Sequence, residues 1–189
     1  MIKTSKDLCF YLNEDMERNK LKGRLHYYAR LFAGFENACA FRYIKCMRKC
    51  EYHYNNRNNP FHFVCYGYYR LRLQQLGRKY NLRISMNTCG YGLRLIHIAG
   101  GVILNAKRIG NYCGFNSGVV IGNSGKDNCP VIGDYVAFGP GAKAFGNVTI
   151  ENNCFIAPNA VITKDVSKNS IMGGIPAKFI KEKEPRKNK

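Results

Sequence analysis

Acidic residues are scarce in this chain of 189 residues: 12 Asp and Glu stand against 30 Lys and Arg, which leaves a formal net charge of +18. The basic residues concentrate in residues 42–83 and 178–189, and such a charge indicates attraction to an anionic partner. Nucleic acid is not favoured, because no recognition helix, zinc finger or base-stacking motif accompanies the charge. Phosphate groups of a cofactor, an acidic glycan, peripheral contact with an anionic membrane, or a plain solvated basic face explain the charge equally well.

Long hydrophobic stretches are missing too. No apolar run is long enough to cross a bilayer, and the N-terminus is too polar for a signal peptide. We therefore expect a cytoplasmic protein. The chain is long enough to bury a packed core, so we expect one compact domain with an appendage.

The cysteines lack the spacing of a disulfide framework or of a zinc site. Cys46, Cys50 and His53 could suggest a metal, but their spacing fits one face of a helix equally well, and no second Cys pair with zinc-site spacing follows. We interpret them as packing residues and predict no metal site. Nine cysteines are an odd number, so we expect reduced thiols.

What the sequence does contain is a period of six residues. Between residues 102 and 162 an apolar residue returns at every sixth position, with one interruption. Neither an α-helix nor a flat strand has that period, and a β-sandwich would match it only by accident. It is typical of a parallel β-helix in which about eighteen residues form one turn. The periodic residues are Ile103, Ile109, Phe115, Ile121, Ile132, Phe138, Ala144, Ile150, Ile156 and Ile162.

The interruption is a short insertion at residues 125–130. In a repeat protein an insertion into one repeat becomes a loop on one face, and such loops often serve binding. We therefore expect a loop between Ile121 and Ile132.

The remaining segments predict helices. Ser5 is expected to cap a first helix, residues 24–52 carry apolar and aromatic residues at helical spacing, and a further helix runs from Phe61 to about Lys79, ending near Gly77. We expect residues 181–189 to form a short helix that frays. The predicted division is a helical N-terminal region at 1–83, the coil domain at 84–181 and a basic C-terminal tail at 182–189.

The stretch from Cys89 to Lys181, about half of the chain, resembles the hexapeptide-repeat acyltransferases, in particular the serine acetyltransferases and the related capsular polysaccharide O-acetyltransferases. The segments PVIGDYVAFGPGAKAFGNVTI, APNAVITKDV and GGIPAK are the most specific. The resemblance implies a mainly β fold with a left-handed parallel β-helix, a homotrimer, and acetyl-CoA bound in a groove between neighbouring subunits.

Acetyl transfer to a hydroxyl requires a base, and histidine suits that task at neutral pH. His97 is the only histidine of the predicted coil domain, residues 84–181. It begins HIAGGVIL, where the serine acetyltransferases place their catalytic histidine, so the resemblance assigns it the role of general base. No Ser-His-Asp set is visible, which favours direct attack of the acceptor on the thioester over an acyl-enzyme.

Two family features are absent. Serine acetyltransferases usually carry an acid immediately before the histidine and another about fifteen residues upstream, whereas those positions are Ile96 and Leu82. A backbone carbonyl or an acid of the N-terminal region could orient the imidazole instead. The Arg-His pair that resembles a serine-carboxylate clamp falls on Asn128 and Cys129, which favours a saccharide acceptor slightly over L-serine.

The resemblance also places acetyl-CoA along the coil, because small residues let its pantetheine amides approach the backbone. The matching positions are Gly122, Gly141, Ala142 and Ala157, with Lys164 and Lys178 placed to meet the phosphates of CoA. Glycine and alanine at coil corners are equally compatible with a purely structural role.

Three functions stay open on the sequence. The first is an acetyl-CoA-dependent O-acetyltransferase that acts on a hydroxyl of a sugar, of a polysaccharide precursor or of L-serine. The second is a catalytically weak or inactive trimeric β-helix scaffold, which the missing acids would favour. The third is a basic nucleic-acid or membrane-surface protein in which the coil merely displays charge.

Overall fold

A computed structural model of the protein describes residues 1–123, 125 and 128–185. It begins with four α-helices: α1 (Ser5–Arg18), α2 (Gly23–Phe32), α3 (Glu36–Asn55) and α4 (Pro60–Tyr80). None of the described helices is both long and apolar enough to cross a membrane.

The helix boundaries differ from the prediction in three places. Thr4, not Ser5, caps α1: its hydroxyl accepts from the Asp7 N–H at 3.1 Å, and the Asp7 carboxylate accepts from the Thr4 N–H at 2.8 Å. The segment 24–52 is two helices, because the chain turns at Gly34, whose φ of +74° ends α2. Helix α4 continues past Gly77 and ends at Asn81, which adopts the left-handed conformation.

After α4 the chain winds into a parallel β-helix of fourteen short strands, which confirms the predicted fold class. The left hand of the coil stays a prediction. The strands are β1 Leu82–Ile84, β2 Arg94–Ile96, β3 Val102–Leu104, β4 Arg108–Ile109, β5 Gly114–Asn116, β6 Val119–Gly122, β7 Val131–Ile132, β8 Ala137–Phe138, β9 Lys143–Phe145, β10 Thr149–Ile150, β11 Phe155–Ile156, β12 Val161–Ile162, β13 Ser170–Gly173 and β14 Lys178–Glu182.

The strands form three faces. Sheet A holds β1, β3, β6, β9 and β12; sheet B holds β4, β7 and β10; sheet C holds β2, β5, β8, β11 and β13, with β14 antiparallel at its end. The last strand corrects the prediction of a C-terminal helix. The chain pairs along β13 there, and Lys183 still donates its N–H to the Asn169 carbonyl at 2.7 Å. Residues 186–189 of the predicted tail lie outside the described residues, and the three-part division of the chain stays a proposal.

The pairing register of the strands explains the six-residue period. Ile162 pairs with Ala144 and Ile150 with Ile132, in each case eighteen positions earlier in the chain. The turn that contains the insertion is longer, since Ile132 pairs with Ile109 across twenty-three positions. Nine of the ten periodic residues are buried, as expected for side chains that stack from turn to turn inside the coil.

Ile103 is the exception, with 41% of its surface exposed. Its neighbours Val102 and Leu104 are buried instead, and Leu104 pairs with Ile121. The predicted position was therefore off by one residue at the start of the coil. Leu104 and Ile109 are five positions apart, whereas the equivalent residues Ala144 and Ile150 are six apart, so the six-residue count is one residue short between β3 and β4.

A buried ionic cluster joins the helices to the first turn. Arg48 of α3 is fully buried, and its guanidinium lies 2.9 Å from Asp15 of α1 and 3.2 Å from Glu51. The same guanidinium donates to the carbonyls of Cys89 (2.9 Å) and Gly90 (2.5 Å) in the coil. We call Asp15, Arg48 and Glu51 the junction cluster.

The carboxylates of the junction cluster also contact the coil directly. Asp15 accepts from the Leu93 N–H at 2.8 Å, and Glu51 accepts from the Asn87 N–H at 2.7 Å. Burial raises the pKa of Asp15, and the Arg48 guanidinium opposes that rise. Each of the three side chains bonds to backbone of the first turn, so the cluster fixes how α1 and α3 sit on the coil.

All nine cysteines are free thiols. Cys46 and Cys50 are buried between the helices, as expected for packing residues. Within the part of the chain that the structure describes, no three or more side chains that could bind a metal come together.

Candidate active site

His97 lies on a corner that is longer than its equivalents. Ile96 pairs with Asn116 and Val102 with Val119, so five residues connect β2 to β3, whereas two connect β5 to β6. The extra residues form a 3-10 turn at Ile98–Gly100. The His97 backbone is left-handed (φ 52°) and its side chain is 76% exposed. The longer corner thus holds the imidazole out from the coil, toward the helices.

Glu36 meets the imidazole there. It is the first residue of α3, where the partial positive charge of a helix N-terminus favours a carboxylate. Its Oε2 lies 3.2 Å from Nδ1 of His97. With the ring proton on Nδ1, His97 donates to the carboxylate and its Nε2 is left to accept a proton.

The contact supplies what the sequence lacked. The two positions that usually hold acids are occupied by Leu82, which is buried, and Ile96, which is half-buried. An acid of the N-terminal region was one of the alternatives for orienting His97, and Glu36 stands in that place. Sequence reasoning could not single it out, because 61 residues separate Glu36 from His97 and no motif links them.

The other predicted site residues fall at two corners of the coil. We call the connections from sheet C to sheet A the leading corner, and those from sheet A to sheet B the trailing corner. Because the strands of sheet A are parallel, the leading corner lies at the N-terminal ends of these strands and the trailing corner at their C-terminal ends. The leading corner holds His97, Gly141 and Ala157; the trailing corner holds Gly122, Lys164 and the loop with Asn128 and Cys129. One chain therefore does not bring His97 to the loop residues.

The loop at the trailing corner is described only in part, since residues 124, 126 and 127 lie outside the described residues. Asn128 is exposed and donates its N–H to the Gly125 carbonyl at 3.4 Å, and Cys129 is half-buried. Gly125 also accepts from the Asn123 side chain at 3.0 Å. These contacts place the insertion as a loop directly after β6.

One predicted cofactor contact is wrong. Ala142 is completely buried, its N–H donates to the Gly139 carbonyl and its carbonyl accepts from the Val120 N–H, each at 3.2 Å. The side chain packs inside the coil, so Ala142 presents nothing to a ligand. Ala157 is half-buried.

The two glycines have structural reasons of their own. A Cβ on Gly122 would lie 2.6 Å from the Phe145 ring, and Gly141 adopts a positive φ of 70°. Both are half-exposed at their corners. A structural role and a ligand contact are compatible at each.

The predicted lysines are exposed at the end of the coil. Lys164 follows β12 at the trailing corner, and Lys178 begins β14, where it pairs with Gly173 at the leading corner. Neither ammonium group bonds to another described residue. Within one chain the two lysines therefore lie at opposite ends of the strands of sheet A, as His97 and the loop do.

A groove of about 1040 Å³ opens beside the His97 corner. Gly100 and Gly101 line its start, and it runs between the outer face of sheet A and α4. Its polar side chains carry amide, hydroxyl and guanidinium groups, and none of the described residues that line it is an acid. The polar residues are Tyr43, Tyr54, Arg70, Gln74, Arg78, Asn81, Arg83, Ser85 and Asn87. Sequence reasoning missed this groove, because α4 and sheet A meet only in the folded chain.

The buried thiols of this region are not nucleophiles. Burial raises the pKa of the Cys89 thiol to about 12, and it raises that of Cys113 to about 12 as well. Both thiols therefore stay protonated at neutral pH. A cysteine-bound acyl intermediate at these positions is disfavoured.

Comparison with known proteins supports the resemblance read from the sequence. A family model described as bacterial transferase hexapeptide (six repeats) matches residues 129–164. The serine acetyltransferase of Staphylococcus xylosus is 38% identical over 96 residues, which cover 49% of this chain and 44% of that protein. The chain spans about two fifths of the length of the curated relatives it matches.

Solved structures show the same fold. The serine acetyltransferase of Neisseria gonorrhoeae matches with a TM-score of 0.69 at 22% identity, covering 97% of this chain and 70% of that one. A serine acetyltransferase described as a complex with CoA matches with a TM-score of 0.68 at 19% identity, covering 93% and 71%. The predicted resemblance to the hexapeptide-repeat acyltransferases of the serine acetyltransferase group is confirmed.

Proposed function

We propose that this protein is an acetyl-CoA-dependent O-acetyltransferase with His97 as its general base. The observation that carries the proposal is the exposed His97 imidazole, held out on a lengthened corner with Nδ1 against the Glu36 carboxylate. The names of its relatives support it, since they are serine acetyltransferases, and one similar structure is a complex with CoA. An inactive scaffold is not favoured, because an oriented imidazole has no use there.

The chemistry follows from the two side chains. Glu36 accepts the Nδ1–H of His97 and fixes the ring, which leaves the Nε2 lone pair for the acceptor. Nε2 takes the proton of the acceptor hydroxyl while that oxygen bonds to the acetyl carbonyl carbon. As the carbon–sulfur bond breaks, His97 returns the proton to the departing sulfur, so no acyl-enzyme is needed.

The two-corner arrangement supports a site shared between subunits. Within one chain, His97 and the loop lie at opposite ends of the strands of sheet A. They can come together only if the leading corner of one chain contacts the trailing corner of the next. Such head-to-tail contacts close into a ring. We propose a homotrimer, in which Lys178 of one chain and Lys164 of its neighbour also share a groove and meet the phosphates of CoA. Light scattering is expected to give the mass of three chains, and a monomer would contradict the shared site.

The acceptor class rests on the loop and the groove. Asn128 and Cys129 offer no cation to a carboxylate, and an unpaired carboxylate in a desolvated site is costly. The groove beside His97 exceeds what serine fills, and its amides, hydroxyls and three guanidinium groups can all bond to the hydroxyls of a sugar. We propose a saccharide hydroxyl as the preferred acceptor. L-Serine is the second candidate, because the relatives are serine acetyltransferases.

The role of His97 is tested by His97→Ala, with His26→Ala as the matched control on α2. Loss of a general base is expected to lower acetyl transfer by about two to four orders of magnitude, while the far-UV circular dichroism stays unchanged. The readout is CoA release from acetyl-CoA in the presence of acceptor. A loss below about tenfold for His97→Ala, or an equal loss in the control, would show that His97 is not the base.

The acceptor is tested by competition between L-serine and a panel of mono- and oligosaccharides at equal concentrations, with acetylated products identified by mass. We expect acetylated saccharide to dominate and the KM for L-serine to lie at or above about 1 mM. O-acetylserine as the main product, with saturation below about 1 mM, would establish serine as the acceptor instead.

A further inference from the structure

Helix α4 is apolar on its outer side as well as on its inner side. Leu73 and Leu76 are buried against the rest of the protein. On the opposite side a stripe at helical spacing faces solvent, and Phe63 lies beside it; all five side chains are between 59% and 70% exposed. The five are Phe61, Phe63, Val64, Tyr68 and Leu71. A solvated helix normally carries polar residues there, so this face is suited to a contact.

The charges around this face all have one sign. The sequence has no Asp or Glu from residue 52 to residue 126. Five cations lie on α4 or just before it: Arg57, Arg70, Arg72, Arg78 and Lys79. Among the described residues, none of the five forms an ion pair with an acid.

This charge decides between two occupants of the face. If the same face of a second copy covered it, two sets of five cations would lie against each other with no acid between them, and that contact would be repulsive. An anionic lipid surface complements the cations and takes up the apolar side chains at the same time. Aromatic and aliphatic side chains flanked by Lys and Arg are the composition of helices that lie in a membrane interface.

We propose that the outer face of α4 docks this protein onto an anionic membrane surface, with the five apolar side chains inserted at the level of the headgroups and the five cations on the lipid phosphates. The proposal does not depend on acetyl transfer. It brings the groove beside His97 close to the membrane, since Arg70 and Arg78 of α4 also line that groove.

The test is co-sedimentation of the full chain with vesicles of phosphatidylcholine, alone or with about one third phosphatidylglycerol. We expect strong binding to the anionic vesicles at low salt, a marked loss at high salt, and little binding to phosphatidylcholine alone. Replacing three cations (Arg70→Gln, Arg72→Gln, Arg78→Gln) should weaken binding about a hundredfold, at about fivefold for each charge. Replacing three apolar residues (Phe61→Ser, Val64→Ser, Leu71→Ser) should weaken it at least about tenfold.

The matched control removes three exposed cations from the coil (Lys107→Gln, Arg108→Gln, Lys168→Gln) and should change binding by less than about fivefold. All the replaced side chains are at least partly exposed, and circular dichroism checks that each variant is folded. Equal losses of vesicle binding in the control and in the α4 cation variant would mean that only the net charge of the protein matters. That result would overturn the proposal. It would also be overturned if the vesicles did not bind, or if the apolar variant lowered the molar mass in light scattering, because a second copy would then cover the face.

Discussion

Inside the coil, the buried positions are apolar and return once per turn; between Ile109 and Ile162 the interval is eighteen residues or, across the insertion, twenty-three. Phe115 and Phe138 are a pair across the insertion, and their stacked rings have centres 5.3 Å apart. At the junction with the helices, the buried groups are a guanidinium and two carboxylates that come from α1 and α3. The coil core tolerates some change in side-chain shape, since each turn adds a similar layer of apolar side chains. The junction cluster does not, because each of its groups is charged, buried and bonded to backbone of the first turn.

The largest expected effect on stability is at the junction. Arg48→Met should lower the free energy of unfolding by about 3–5 kcal/mol, because it leaves the carboxylates of Asp15 and Glu51 buried without their cation. Denaturant unfolding measures the loss. Arg108→Met, on the exposed side of β4, is the matched control and should change stability by less than about 0.5 kcal/mol.

A variant that makes the whole junction cluster apolar sharpens the comparison. Apolar replacement of a buried ion cluster is often neutral, but here it would also leave the N–H groups of Leu93 and Asn87 without partners. We therefore expect Asp15→Leu, Arg48→Met and Glu51→Leu together to remain less stable than the natural chain. Equal stability would mean that the backbone contacts of the cluster are not important.

A slightly smaller effect is expected in the coil. Ile132→Ala should cost about 2–5 kcal/mol, because Ile132 is fully buried between two turns. Ile103→Ala removes the same atoms at a position that also belongs to the six-residue pattern. Because Ile103 is 41% exposed, this substitution should cost less than about 1 kcal/mol. Similar losses in the two variants, measured by thermal unfolding, would contradict the corrected register at β3.

The smallest effect on stability is expected where the helices meet the coil at the contact between Glu36 and His97. A substitution there should act on activity instead. Glu36→Gln should lower the free energy of unfolding by less than about 1 kcal/mol, because the carboxylate and its contact with His97 are exposed, and should lower kcat about 10- to 100-fold with little change in KM. Glu36→Asp should restore part of the rate. In the His97→Ala background, Glu36→Gln should have no further effect, and additive losses would show that Glu36 does not act through His97.

The coil could be predicted because its information is local. A residue such as Ile132 contacts the equivalent residue one turn away, so the same apolar type returns at a fixed interval and the short-range pattern contains the tertiary contact. The same pattern placed the loop between Ile121 and Ile132. It did not place Ile103, because the connection from β3 to β4 is one residue shorter than the repeat requires, so Leu104 is the residue that points inward.

The candidate site was predictable only in part for the same reason. His97 was found through a resemblance in the residues that follow it, whereas Ala142 was assigned from residue type and turned out to point inward. Arg48 is a basic residue in a basic helix, and nothing near it in the sequence distinguishes a buried guanidinium from a solvated one.

By itself, the sequence determined the coil, the helical character of the region upstream of it, and the histidine that a base would require. Only the tertiary structure decided that the carboxylate beside His97 comes from Glu36, and that α4 leaves an apolar, cationic face uncovered. The physical reason is distance along the chain. The orientation of α3 depends on Asp15, Arg48 and the carbonyls of the first turn, which lie 33 to 42 positions apart and have no repeating pattern.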